Sequence, residues 1–120
     1  MTYNAPVNQI TDTLSDIARI NDLAATGGFP NFDGELIAPI LDEANKLARD
    51  VLSPLNPVGH KHGVKLTDAG VIAAPGFSDA YARFREGGWM GLAFPEEFGG
   101  QGLPKTMALA VMEMMHAANM

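Results

Sequence analysis

The 120-residue sequence contains no cysteine, which excludes disulfide staples, thiolate metal sites and cysteine nucleophiles together. Cations are also few. Eight Lys and Arg stand against fourteen Asp and Glu, for a formal net charge of −6, and the basic residues lie singly or in pairs. Phosphate backbones call for clustered Lys and Arg, so nucleic acid is not an expected partner, and the same charge balance weakens an anionic membrane surface. No apolar run approaches the roughly 18 residues that span a bilayer. The opening Met1-Thr2-Tyr3-Asn4-Ala5-Pro6 has neither the basic end nor the apolar stretch of a secretory leader. A cytoplasmic location is the expectation. Low-complexity tracts are missing too, and 47 % hydrophobic against 18 % charged residues describes a chain able to bury a core as one ordinary domain.

What is present reads as helix. The first helical pattern, about Thr11 to Asn21, places Leu14, Ile17 and Ala18 on one side, and Gly27-Gly28-Phe29-Pro30-Asn31 breaks it. A second helix is predicted from about Asp33 to Ser53. There Leu36, Ile37, Ile40, Leu41, Ala44, Leu47, Ala48, Val51 and Leu52 recur at three-and-four spacing. Pro39 conflicts with this span, so the helix either begins later than Asp33 or bends; Pro54 and Pro57 are expected to end it. From Ser53 to Gly76 the pattern is irregular, except that Val64-Lys65-Leu66 and Val71-Ile72-Ala73 flank Thr67-Asp68-Ala69-Gly70, the pattern of a short hairpin. A third helix, about Pro75 to Glu86, carries Phe77, Ala80, Tyr81 and Phe84 on one face and stops at Gly87-Gly88. The last begins near Pro104, a residue suited to a first helical position. The expected fold class is therefore all-α: a small bundle of about four helices with a possible short β-hairpin near 64–73.

The last helix stands out. From Met107 to Ala118 only Glu113 and His116 are polar, and a helix apolar all round has to be covered on all sides, more than three other helices readily provide. Ala117-Ala118-Asn119-Met120 carries no helix-stopping signal, and a terminal carboxylate would sit at the negative end of the helix dipole. The expectation is a single helical domain, 1–120, truncated at its C-terminal end.

Each candidate site has a plainer structural reading. Gly99-Gly100-Gln101-Gly102-Leu103-Pro104-Lys105-Thr106 looks like a phosphate loop, but Pro104 occupies the place where that loop needs glycine, and proline has no N–H for a phosphate; a tight turn before a helix is the preferred reading. His60 and His62 are two potential metal ligands where a tetrahedral site needs three or four ligands in all. Glu96 and Glu97 are adjacent and expected to diverge, unlike an acid/base pair. Glu113 is expected to pair with Arg83 or Arg85, or to be partly exposed, since an unpaired buried charge is costly. The methionines, seven in all, fit either a core or an adaptable binding surface.

The stretch from Gly87-Gly88-Trp89-Met90-Gly91-Leu92 through Pro95-Glu96-Glu97-Phe98-Gly99-Gly100-Gln101-Gly102-Leu103-Pro104 resembles the acyl-CoA dehydrogenase family, in which such a connector joins two helices of the N-terminal domain. Gly87-Gly88-Trp89 and Gly100-Gln101-Gly102-Leu103-Pro104 are most similar to the longer branch that includes methylthiopropanoyl-CoA dehydrogenases. So are Tyr3-Asn4-Ala5-Pro6 and Val51-Leu52-Ser53-Pro54-Leu55-Asn56. Family members often carry two consecutive glutamates in the following helix; Glu113 matches the first, and Met114 replaces the second. The resemblance implies a three-part FAD enzyme with helical N-terminal, β middle and helical C-terminal domains. In it a glutamate, usually from the C-terminal domain, removes the proton α to the thioester, hydride passes to the flavin, and an electron-transfer flavoprotein usually reoxidises the cofactor. The resemblance places none of those groups in this sequence, so no catalytic, cofactor-binding or metal-ligating residue is assigned and tight FAD binding is not expected. The implied partners are the missing middle and C-terminal domains and, for the parent, acyl-CoA and the electron-transfer flavoprotein. Homo-oligomers are also expected. A free-standing helical interaction module is the alternative.

Overall fold

The computed structural model describes residues 2–120. Its helices follow in the order α1 (Val7–Asp12), α2 (Ile20–Ala25), α3 (Ile37–Leu47), α4 (Ser53–His62), α5 (Phe77–Glu86) and α6 (Lys105–Ala118). A two-stranded hairpin, β1 (Lys65–Thr67) and β2 (Gly70–Ile72), lies between α4 and α5. Two wide, π-helical segments join some of these pieces. Thr13–Ile17 extends α1, and Ala48–Leu52 fuses α3 to α4. The chain is thus all-α apart from the hairpin, as expected, with one more helical body than the four predicted.

The extra body comes from the first pattern. The helix starts at Val7 rather than near Thr11 and ends at Ile17. Ala18 N–H closes a wide turn on the Thr13 carbonyl at 2.9 Å, a bond to the fifth preceding residue. Such turns hold more residues than an α-turn, so the predicted face does not line up: Leu14 is buried, but Ile17 is 78 % exposed and Ala18 is exposed. Arg19 then takes a left-handed conformation (φ 52, ψ 43), which redirects the chain into α2 and buries Ile20.

Pro39 is resolved by the later start. A 3-10 turn, Gly34–Leu36, opens the segment with the Asp33 carboxylate accepting from Glu35 N–H at 2.8 Å, and Pro39 falls in the first turn of α3, where a missing N–H costs nothing. The expectation that Pro54 and Pro57 end this helix is wrong. The wide turn at Ala48–Leu52 precedes Pro54, which occupies the start of α4, and helix continues to His62. A proline ring normally collides with the carbonyl four residues back; a widened turn displaces that carbonyl. Pro57 remains inside α4.

The core is one cluster centred on α3 and α6. Ile37, Leu41, Ala44 and Ala48 meet Met107, Ala110, Val111, Met114, Met115 and Ala118, with Ala5, Leu14, Ile20, Phe32, Leu92 and Leu103 closing its edges. α3 packs on both α1 and α6, and the Ala48–Leu52 turn also packs on α6. The N-terminal segment before α1 is fastened across this pair. Ala5 N–H donates to Asn45 Oδ1 at 2.8 Å, Asn45 Nδ2 donates to Asn4 Oδ1 at 3.0 Å, and Tyr3 N–H donates to the buried Ser53 Oγ at 2.9 Å. Residues 3–5 are thereby tied to Asn45 in α3 and to Ser53 at the start of α4.

The molecule is thin. Its extents are 53 × 36 × 17 Å with a radius of gyration of 16.3 Å, against about 14 Å for a compact domain of this length. Its accessible surface is 7831 Å², some 1,600 Å² above the roughly 6,200 Å² usual for this mass.

Arg19 provides a test of the redirected chain. A non-glycine residue in left-handed geometry costs about 1 kcal/mol, and its ion pair with Asp22 is largely exposed and so worth little. Arg19→Gly is expected to raise the melting temperature by about 2–5 °C; thermal unfolding followed by circular dichroism checks it, and a fall would contradict the backbone assignment.

Candidate functional site

The glycine-rich connector between α5 and α6 is built by backbone geometry. Gly88 stops the helix with φ 73, a 3-10 turn covers Trp89–Gly91, and a second covers Glu96–Phe98. The chain then folds back on itself. Gly99 N–H donates to Glu96 O at 2.9 Å, Gly100 N–H to Pro95 O at 3.0 Å, Gln101 N–H to Gly91 O, Gly102 N–H to Phe94 O and Leu103 N–H to Leu92 O, the last three at 2.9 Å. Leu92 and Leu103, bonded to one another, insert into the core. Gln101 Nε2 reaches the Gly88 carbonyl at 3.1 Å, and Asn31 Nδ2 ties Glu96 Oε1 at 2.7 Å.

These bonds decide what the connector can do. A phosphate loop needs free N–H donors converging on one anion. Here each N–H from Gly99 to Leu103 is committed to a carbonyl of the connector itself, and Pro104 has none. Pro104 also sits one position earlier than expected, at the helix N-cap with φ −58 and ψ 142. The segment is a rigid reversal. It offers no cradle for a nucleotide or for the pyrophosphate of a dinucleotide cofactor.

The other candidates do not converge either. His60 and His62 lie in the last turn of α4 rather than in an extended segment, and two residues apart on a helix they point to opposite sides. Among the described residues no three His, Cys, Asp or Glu side chains form a group that could hold a metal. Glu96 and Glu97 are exposed on the 3-10 turn. Glu113 is exposed on α6, and the ion pairs of the described residues, Arg19–Asp22, Lys46–Glu43 and Arg49–Asp50, do not include it; exposure holds, and pairing with Arg83 or Arg85 does not. Glu113 does lie near Tyr3. Burial, with the Glu113 charge adding to it, pushes the Tyr3 phenol above its ordinary value.

α6 is less orphaned than its composition implies. Met107, Met114 and Met115 are core, which favours the core reading of the methionines. The outward stripe holds Glu113, His116 and Ala117 beside Leu109, itself 71 % exposed. At its end Asn119 leaves the helix (φ −155, ψ 115), donating Nδ2 to the Leu52 carbonyl at 2.9 Å.

Three surface clefts went unread in the sequence, because each joins distant segments. One of about 390 Å³ lies between α1 and α6, lined by Ile10, Leu14, Leu109 and Glu113 among others. A nearly all-apolar one of about 230 Å³ lies where α4, α5 and α6 meet, with Leu55, Phe84 and Met112 in its wall. The third, about 600 Å³, opens at the base of the hairpin. The only sequence signal for any of them was the apolar face of α5.

Comparison with known proteins then fixes the lineage. A family model described as the acyl-CoA dehydrogenase N-terminal domain matches residues 38–120, well over half of the chain. The chain belongs to the acyl-CoA dehydrogenase family. Along all 120 residues it is also similar, at 29 % identity, to the 3-methylmercaptopropionyl-CoA dehydrogenase of Ruegeria pomeroyi. The chain spans 20 % of that relative's length. The acyl-CoA dehydrogenase match begins at the first turn of α3 and takes in the hairpin, the connector and α6; the similarity to the relative adds α1, α2 and the segment before α1.

Within this acyl-CoA dehydrogenase domain the connector tolerates no side chain at Gly100. A Cβ there would lie 2.1 Å from the Phe94 carbonyl oxygen, whereas Gly99 faces open space and is constrained only by its φ of 82. Gly100→Ala is expected to cost about 3 kcal/mol and Gly99→Ala about 1 kcal/mol. Paired urea titrations measure the difference, and equal costs would contradict the reversal described.

Proposed function

We propose that the chain is the N-terminal helical domain, residues 1–120, of an FAD-dependent acyl-CoA dehydrogenase that carries out α,β-dehydrogenation of an acyl-CoA thioester, and that it is inactive alone. The observation that carries the reading is the match of residues 38–120 to the N-terminal domain of that family, joined to coverage of only 20 % of a full dehydrogenase. The thin shape and surplus surface support it, because a surplus of about 1,600 Å² on one chain is about twice what one partner gives to a standard protein interface.

In the parent, FAD supplies the hydride acceptor when bound. The glycine-rich run offers no fit for it: the N–H groups from Gly99 to Leu103 are spent on the connector's own carbonyls, and the cations are dispersed. The domain's contribution is structural, a rigid apolar slab against which the catalytic domains assemble. Its partners in this reading are the parent's middle and C-terminal domains, with acyl-CoA and an electron-transfer flavoprotein acting on the parent. The location proposed is cytoplasmic; among the described residues no helix is long and apolar enough to cross a membrane.

Two measurements test this. The reading frame should continue past Met120 into a β-rich segment, and a natural stop codon there would overturn the proposal. The purified 120-residue chain should neither retain flavin absorbance nor reduce a dye with acyl-CoA; near one-to-one flavin would refute the first expectation, and dye reduction would refute inactivity. Association is a separate expectation. Ile17 and Leu109, 78 % and 71 % exposed, leave apolar surface that favours oligomers at high concentration; light scattering from a clean monomer would count against it.

A further inference from the structure

We propose that Ile17 and Ile20 exchange places in the core, with Arg19 as the hinge. One form is the bent one of the structure; in the other, Val7 to Ala25 is one straight α-helix. The exchange is a property of these 120 residues and does not depend on a longer parent.

No residue type between Val7 and Ala25 breaks a helix: the stretch has neither glycine nor proline. The bend comes from Arg19, which among the described residues is the one non-glycine with a positive φ. Ala18 before it (φ −76, ψ −14) and α2 after it are right-handed. The hydrogen-bond ladder resumes at the Arg19 carbonyl, which accepts from Asp22 N–H at 3.0 Å and Leu23 N–H at 3.4 Å. Turning Arg19 into the right-handed region joins the two helices and relieves its steric strain. It also gives the N–H groups of Arg19, Ile20 and Asn21 helical acceptors. A strained residue of this kind persists only where its surroundings hold it. Here the hold is mainly Ile20, 1 % exposed and the one fully buried residue of α2, a six-residue helix too short to stand alone.

The straight form has an isoleucine to put in its place. At about 100° per residue, Ile10, Leu14 and Ile17 fall within about 60° of one another on a regular helix, and Ile20 stands about 60° beyond Ile17. The wide turn at Thr13–Ile17 holds one residue more than an α-turn and breaks that alignment, so Leu14 is buried while Ile17 is 78 % exposed. Closing the wide turn to α-turns brings Ile17 onto the face of Leu14 and carries Ile20 to its edge. One isoleucine leaves the core as an identical one enters, so the apolar area removed from water is nearly the same in both forms. Two packings so closely matched make a two-state element. Thr13, Leu14 and Ala18 form one wall of the cleft between α1 and α6, opposite Leu109 and Glu113. The exchange rebuilds that wall, so the cleft has its present shape only while the chain is bent.

The chain has no native cysteine, so two exposed positions, Asn8 and Ala25, can carry spin labels as Asn8→Cys and Ala25→Cys. Pulsed dipolar EPR then reads the distance between them. A straight helix sets these positions about 26 Å apart, at roughly 1.5 Å per residue, and the bend shortens this. The short distance is expected to dominate in the otherwise native chain. Ile20→Ala is expected to raise the ~26 Å population relative to the short one at least about tenfold, and adding Ile17→Ala to reverse most of that rise. A fixed bend predicts no such reversal, because Ile17 is then only a surface residue. A single short distance in Ile20→Ala would overturn the proposal, and so would a broad spread without a peak near 26 Å, the signature of α2 fraying. An Ile17→Ala change without effect on the long distance would overturn the exchange as well. If circular dichroism shows Ile20→Ala unfolded, Ile20→Val replaces it, with a rise of a few-fold expected and the same reversal by Ile17→Ala.

Discussion

The seam between α3 and α6 is the contact on which the rest of the domain depends. The last turn of α3 contributes Ala44 and the wide turn after it Ala48, both small and with no exposure, and α6 contributes Met107, Val111 and Met114, likewise fully enclosed. Small side chains opposite long unbranched ones permit close packing without voids. The remaining parts hang on this seam by hydrogen bonds to its side chains and loose carbonyls. The segment before α1 uses Asn45 and Ser53, and Asn119 uses Leu52. The connector adds Leu92 and Leu103 to the same cluster. A change that opened the seam would release all of these together.

The wide turn at Ala48–Leu52 shows how a local irregularity serves that packing. A straight α-helix from Ile37 onward would meet Pro54 with its ring against a carbonyl. The π-helical turn relieves that collision and lets one helical rod run to His62. Gly59, near the far end of this rod, takes the Phe77 ring at a distance where a Cβ would be 2.8 Å away. The start of α5 and the hairpin are thereby held at the far end of α4, and the slab becomes long and thin.

Much of this was legible in the sequence, for reasons that differ by element. The hairpin was readable from Thr67-Asp68-Ala69-Gly70 between two short apolar runs, and the register places that turn as expected. Both ends of α5 and the start of α6 were readable from glycine and proline, to within two residues. The connector was readable as a reversal because its glycines and Pro104 left no other role. What misled was the assumption of α-periodicity through Thr13–Ile17 and of prolines as terminators. No residue type marks a π-helical turn, and Arg19 gives no sign of left-handed geometry. The clefts were invisible for another reason: Ile10 and Leu109 line one surface only after α1 and α6 have docked.

Composition also misplaced the uncovered surface. Counting apolar residues pointed to α6 as the element lacking cover, yet the polar residues Glu113 and His116 lie on its outward stripe and most of its methionines are enclosed. Two polar positions three residues apart are enough to mark the solvent side of a helix, so their spacing carried more information than the run of apolar letters around them. On the hairpin the opposite holds. Its few residues hardly alter the composition, but alternation gathers Val64, Leu66 and Val71 onto one side, and that side has no polar member to offer water. The demand for cover therefore follows the arrangement of side chains, and it falls on the smallest element of the fold rather than on the most apolar one.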